Sequence, residues 1–167
     1  NKAIKTNSTG QQQNTSGGLT SFNFNGFSLG TYADVNGTSY GDFASWSFGK
    51  AEKFFDIVTY TGNGTSNRQI AHNLGSTPGT IIVKCTSAST NWVVYHKDLT
   101  NADHCLLLNS TSPQISDSTV FGTAPTDTVF TVARTGVSSN TNQNGATYVA
   151  YLFAHNDGDG EFGPDGD

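Results

Sequence analysis

Residues 80–86 read TIIVKCT and residues 54–60 read FFDIVTY, and these two runs carry the strongest structural signal in the chain. Both are rich in β-branched and aromatic residues, and both contain consecutive apolar residues. A strand that is apolar on both faces belongs in a sheet that is covered twice, by a second sheet or by a neighbouring subunit. Residues 148–153 (YVAYLF) have the same character. All three runs are therefore predicted to be buried strands.

Shorter runs of the same type are spread along the chain and are separated by turns rich in Gly, Asn, Pro and Asp. No segment shows a capped helical period of useful length. The sequence therefore predicts an all-β fold, an antiparallel β-sandwich of jelly-roll type with an extended N-terminal arm. The further predicted strands are residues 22–29, 43–48, 69–74, 92–96, 105–108, 120–121 and 129–132.

The composition excludes several classes of function. Lys and Arg number 8 against 13 Asp and Glu, so the net charge is −5, and no basic surface is available for nucleic acid. No run approaches the roughly 18 apolar residues of a membrane span, so membrane insertion is not expected. The sequence contains no Met, which leads us to expect further chain upstream of Asn1.

An internal similarity suggests how the chain is divided. The aromatic positions Phe43, Trp46 and Phe48 coincide with Tyr148, Tyr151 and Phe153 when the two runs are aligned. A repeated module explains the match, although any two aromatic strands that follow Asn-Gly turns look alike. The predicted organisation is a polar arm or linker at 1–21, the closing hairpin of a preceding repeat or a strand-exchange segment at 22–50, a β-sandwich module at 51–155 and an acidic, Gly-rich tail or linker at 156–167.

Four ordered motifs carry a family resemblance. They are FFDIVTYTGNGT at 54–65, IAHNLGSTPG at 70–79, WVVYH at 92–96 and GATYVAYLFAH at 145–155. Together they resemble a repeat module of tail-fibre and other virion structural proteins of marine bacteriophages. The resemblance implies a structural or adhesive role along a fibre, and it implies no catalytic residue.

The acidic tail and a few aromatic residues are the candidate binding sites. Asp157, Asp159, Glu161 and Asp165 alternate with glycines and offer oxygen ligands, so calcium is the cofactor to consider, with a plain linker as the alternative. The tail does not match an EF-hand loop. Trp92 and Tyr95 are of a type that stacks on a sugar ring. Loops 62–67, 86–91 and 135–145 are where a receptor is expected.

The cysteines and histidines leave their roles open. Cys85 and Cys105 either form a disulfide or pack as two small hydrophobic residues in separate strands. His72 lies where a strand enters a turn, which favours a hydrogen bond to the turn backbone over a metal site. The predicted core positions are Phe54, Ile57, Ile81, Val83 and Tyr151.

These features predict a non-enzymatic phage virion structural protein, a tail-fibre or appendage module involved in host adhesion. The alternatives are a carbohydrate-binding adhesin module and a subunit that forms an extracellular filament by strand exchange. The expected partners are copies of the same chain, as a trimer or filament, and a host cell-surface glycan. Phe22, Phe24 and Phe27 are the predicted assembly residues, and the expected location is the virion or the extracellular space.

Overall fold

The computed structural model describes residues 2–39, 41–133 and 141–155. Its ordered elements are almost all β-strands, which confirms the predicted fold class. The elements are β1 (Lys2–Ala3), β2 (Gln13–Asn14), β3 (Leu19–Asn23), β4 (Gly26–Leu29), α1 (Ala33–Asn36), β5 (Phe55–Thr61), β6 (Arg68–Ala71), β7 (Pro78–Cys85), β8 (Trp92–His96), β9 (His104–Leu107), β10 (Ile115–Ser116), β11 (Val129–Val132) and β12 (Thr147–Ala154).

The described chain divides into two compact units. The first contains residues 2–5 and 12–47, and the second contains residues 6–11 and the described residues from 48 onward. In the first unit, β1 pairs with β2 and β3 pairs with β4. The β3–β4 hairpin aligns Phe22 with Phe27. The same unit contains an ion pair in which Lys5 Nζ lies 2.7 Å from Asp34 Oδ2.

The second unit is organised around a six-stranded antiparallel sheet with the strand order β10-β9-β8-β7-β12-β5. β12 lies between β5 and β7 and pairs with both along most of its length. The register opposes Phe153 to Phe55 on one side and Tyr151 to Ile82 on the other. On the outer face Tyr151 stacks on Trp92 and Phe153 packs against Phe55, so apolar residues contact both faces of β12.

A second, two-stranded sheet of β6 and β11 packs against one face of the six-stranded sheet. Its side chains Ile70, Phe130 and Val132 share one buried cluster with Ile81 and Leu152 of the large sheet. Strand residues alternate between faces, so every second residue of the large sheet enters this core. The predicted antiparallel sandwich is therefore confirmed.

The core predictions are correct for two residues and wrong for three. Ile81 and Val83 are fully buried in the core. Phe54 lies just before β5 and is half-buried, while Ile57 and Tyr151 are half-buried on the outer face of the sheet. For Ile57 and Tyr151 the reason is the phase of β5 and β12, whose core-facing residues are the even-numbered ones. Val58, Tyr60, Tyr148, Ala150 and Leu152 therefore face the small sheet.

Two predicted strands do not form. Residues 43–48 belong to no strand, and their side chains are exposed. Residues 120–121 also lie outside the strands, but Val120 and Phe121 are fully buried, and the Val120 carbonyl accepts a hydrogen bond from the Ala133 N–H. Their apolar character reflects burial in an irregular segment. In the described part of the chain, no helix is long and apolar enough to cross a membrane.

Candidate functional site

A surface cleft of about 230 Å³ opens beside the start of β5. Charged side chains of both signs border it, and an aromatic ring forms part of its wall. The residues that line it are Lys50, Ala51, Glu52, Phe55, Asp56 and Asn73. Lys50, Glu52 and Asn73 are exposed, so a ligand in the cleft meets an ammonium, a carboxylate and an amide.

Asp56 is the buried charge at the base of the cleft. Its Oδ1 lies 2.8 Å from Lys50 Nζ and accepts the N–H of Ile57 at 2.9 Å, while Oδ2 accepts the N–H of Asn73 at 2.9 Å. Burial raises the pKa of Asp56, but the hydrogen bonds from Lys50 and the two N–H groups outweigh burial and hold the pKa below its ordinary value. The carboxylate is therefore ionised, and it fixes the turn after β6 to β5.

His72 follows β6 directly, next to Asn73 of the cleft. Its Nε2 lies 3.2 Å from the carbonyl oxygen of Thr126, and its Nδ1 accepts the N–H of Leu74 at 3.3 Å. A carbonyl only accepts and an N–H only donates, so the ring is neutral with its proton on Nε2. The predicted hydrogen bond between His72 and turn backbone is confirmed. Both ring nitrogens are occupied, which leaves neither for proton transfer.

The cleft is arranged for binding by hydrogen bonds. Asp56 is held by three donors, and the exposed Lys50 and Glu52 supply further donors and acceptors at the rim. Beside it, the ring of Phe48 lies 5.5 Å from the ring of Phe55 and is half exposed, so an open aromatic face adjoins the polar groups. Polar groups next to an aromatic face are typical of sites for hydroxyl-rich ligands.

The cleft lies within a part of the chain that matches a known protein family. A family model described as "Domain of unknown function (DUF7483)" matches residues 41–164, which is most of the chain. The chain belongs to the DUF7483 family. The DUF7483 match includes the whole cleft, the six-stranded sheet and the small sheet. No curated protein and no solved structure matches the chain.

The two predicted sugar contacts are buried inside the DUF7483 region. Trp92 is 4% exposed and stacks on Tyr151 on the outer face of the sheet, with ring centroids 6.3 Å apart. Tyr95 is 7% exposed and packs edge-on against Phe121 in the core. A sugar needs an open ring face, so the prediction of sugar contacts at these residues is corrected. The aromatic stretch of β8 reflects its central position between β7 and β9.

The predicted assembly residues precede the DUF7483 match, and two of them are open to solvent. Phe22 is 77% exposed and Phe24 is fully exposed, whereas Phe27 is half-buried. Trp46, inside the match, is 80% exposed. These rings are available for contacts with another molecule, and their assembly role stays a prediction.

The acidic residues proposed for calcium lie outside the described residues. They are Asp157, Asp159, Glu161 and Asp165. Loop 135–145 is described only from residue 141. Among the residues that the structure does describe, no group of three or more His, Cys, Asp or Glu side chains is placed to hold a metal ion.

Both cysteines of the DUF7483 region are free and buried, which answers the question left open by the sequence. Cys85 and Cys105 belong to the core cluster, so they pack as small hydrophobic residues. Burial raises the pKa of Cys105 to about 11. The Cys105 thiol is therefore protonated at neutral pH.

Sequence reasoning missed the cleft residues Lys50, Glu52, Asp56 and Asn73. One signal was present, because Asp56 interrupts the apolar run FFDIV of a strand that is otherwise buried. A carboxylate in such a position needs hydrogen-bond partners, and those partners mark a structured polar site. The partners themselves lie on other segments and do not show in the local pattern.

Proposed function

We propose that the chain is a non-enzymatic structural module of a bacteriophage virion, from a tail fibre or related appendage that contacts the host. One observation carries the proposal. Six of the seven exposed large hydrophobic side chains in the described chain lie between residues 22 and 48, and four of the six are Phe22, Phe24, Phe43 and Trp46. The resemblance of the ordered motifs to modules of phage fibre proteins supplies the biological setting.

Concentrated exposure of aromatic side chains supports assembly. Large apolar side chains that are exposed together within one short segment are unusual in a monomeric protein, and exposed apolar surface marks interaction sites. The chain is also weakly charged, with 13% charged residues, so contacts between copies depend little on the ionic strength. A homotrimer or a filament covers these rings, and either form suits an extracellular appendage.

The test is the solution mass by light scattering over a range of concentrations. We expect a trimer or a series of larger species for the unaltered chain. A variant that carries Phe22→Ser, Phe24→Ser and Trp46→Ser should shift toward the 17.6 kDa monomer. Leu108→Ser removes an exposed apolar side chain elsewhere and should leave the mass unchanged. A monomer at every concentration for the unaltered chain would refute the proposal.

Carbohydrate binding is a second candidate function, and the cleft at Asp56 favours it. Lys50, Glu52 and Asn73 place hydrogen-bonding groups of three kinds around one opening, next to the half-exposed ring of Phe48. A glycan array should show binding by the unaltered chain that Glu52→Ala and Asn73→Ala weaken. Thr59→Ala, an exposed change on the same strand as Asp56, is the control. Equal binding by all variants would place any sugar elsewhere.

A further inference from the structure

Lys84 of β7 is a fully buried cation. Its side chain is 0% exposed, and its Nζ donates to three main-chain carbonyl oxygens, of Cys85 at 2.9 Å, Thr90 at 3.1 Å and Thr9 at 3.3 Å. Within the described ranges, no carboxylate lies at ion-pair distance from it. Burial lowers the pKa of Lys84. Among the described residues, three carbonyl dipoles therefore stabilise this ammonium.

The Lys84 ammonium has as many N–H donors as there are carbonyl acceptors around it. An ammonium carries three N–H groups, and each of the three carbonyls takes one. Two of the carbonyls, of Cys85 and Thr90, lie close to Lys84 in sequence, whereas Thr9 is 75 residues away. Without the Thr9 carbonyl, one N–H of a buried cation would lack a protein acceptor, which is costly. The Lys84 site is therefore complete only when a peptide carbonyl from a distant segment occupies it.

The segment that supplies this carbonyl is residues 6–11, TNSTGQ, which we call the tongue. The pairing of β1 with β2 closes a loop, and the tongue is the tip of that loop. Residues 2–5 and 12–47 belong to the first compact unit, whereas the tongue groups with the second. The tongue has no charged side chain and no large apolar one. The main-chain carbonyl of Thr9 holds the tongue at Lys84. Every copy of the chain supplies the same carbonyl, so the contact is exchangeable between identical chains.

The hinge of such an exchange would be the stretch of chain that crosses the boundary between the two units. Residues 41–50 form no strand, their side chains are exposed, and Gly41 has a φ of +82°. Exchange of an element between identical copies keeps its native contacts and is an inexpensive route to oligomers. One copy is thus able to deliver its tongue to another copy without losing the Lys84 contact.

We propose that Lys84 binds the tongue of a second copy of this chain, so that each copy donates one tongue and accepts one. This inference rests on the proposed function, because it names the contact by which the copies assemble. A donor site and an acceptor site on different surfaces make a head-to-tail interface. Such an interface closes into a ring when the rotation allows it, or extends into a filament.

A cysteine pair tests the exchange directly. Thr9 and Thr90 are neighbours, because their carbonyls bind the same ammonium, so we would build Thr9→Cys with Thr90→Cys and oxidise the protein mildly. Exchange predicts that most of the protein runs as covalent dimers and larger species on a non-reducing gel. A disulfide closed within single chains would overturn the inference. Thr9→Cys alone is the control, since the native Cys85 and Cys105 are buried.

Light scattering of the same samples separates the two proposals. If the unaltered chain is oligomeric and the cysteine pair closes only within single chains, tongue exchange is wrong and the assembly proposal stands. If the unaltered chain is monomeric, the assembly proposal fails as well.

A variant without new cysteines checks the chemistry of the site. Lys84→Met keeps the length of the side chain but donates no hydrogen bond, and it should lower the mass of the assembly. Replacing residues 6–11 by a Gly-Ser stretch of the same length leaves β7 untouched and keeps a main-chain carbonyl for Lys84, so it should preserve the mass. Loss of the assembly in the Gly-Ser variant would contradict the inference that Lys84 binds only main-chain atoms of the tongue.

Discussion

The imidazole of His72 bridges two turns, since Nε2 lies 3.2 Å from the carbonyl oxygen of Thr126 and Nδ1 accepts the N–H of Leu74 at 3.3 Å. Protonation of Nδ1 would replace this acceptor by a second donor that faces an N–H. Burial lowers the pKa of His72, and the nearby Asp56 and Asp127 oppose this only in part. The folded protein therefore favours the neutral form of the His72 ring.

We expect the stability to fall when the pH drops through the ordinary histidine pKa, about 6.5. Below that pH the unfolded chain binds a proton at His72 that the folded chain does not, so acid favours unfolding. Urea unfolding at pH 7 and pH 5 should show a difference in free energy that shrinks in His72→Gln. His96→Gln, at a half-exposed histidine of β8, is the control. The same difference in both variants would contradict this role of His72.

Asp56 should matter more for stability than its partner Lys50. Asp56→Ala leaves the N–H groups of Ile57 and Asn73 without their acceptor, and we expect a loss of about 3 kcal/mol in the free energy of unfolding. Lys50 is largely exposed, so Lys50→Ala should cost less than about 1 kcal/mol. Urea unfolding at pH 7 measures both, and equal losses would show that the ion pair dominates.

Gly62 lies in a crowded place and Gly49 in an open one, so the two glycines serve as a test site and its control. A Cβ at Gly62, in the loop after β5, would clash with the carbonyl oxygen of Gln143, in the segment before β12. Gly62→Ala should therefore destabilise the protein by about 1–3 kcal/mol through overpacking. A Cβ at Gly49 meets nothing within 4 Å, and Gly49→Ala should change the stability by less than about 0.5 kcal/mol. Thermal melts of the two variants decide the matter.

The two cysteines should be invisible to thiol reagents in the folded protein. Cys85 and Cys105 are 1% and 0% exposed, so a reagent does not reach either thiol, and burial also raises the pKa of Cys105 to about 11. A colorimetric thiol assay should detect no fast reaction in buffer and two thiols per chain in denaturant. Detection of no thiols in denaturant, without reductant, would instead reveal a disulfide.

Most strands of the second unit were predictable because their apolar periodicity is local. The predicted strand at 129–132 is β11, and the run 80–86 overlaps β7 almost completely. Residues 43–48 have an equally strong pattern but form no strand in the single chain. A strand needs a partner, and no local pattern states whether one is present.

The candidate site was harder to predict than the fold. Asp56 stands out in its strand, but Lys50 and Asn73 reach it from segments before β5 and after β6. Trp92 and Tyr95 were misassigned because aromatic residues suit both a sugar platform and a sandwich core, and only the burial of β8 separates the two. Lys84 gave no signal, since one lysine in a strand usually points to water.

The central place of β12 governs how the sheet is completed during synthesis. β12 is the last of the described strands, yet it separates β5 from β7 and pairs with both. Until a ribosome has released residues 147–154, β5 has no neighbour in the large sheet and one face of the core stays open. The nascent module therefore leaves one edge of β7 unpaired until residues 147–154 have emerged from the ribosome, and shielding by a chaperone would matter most in that interval.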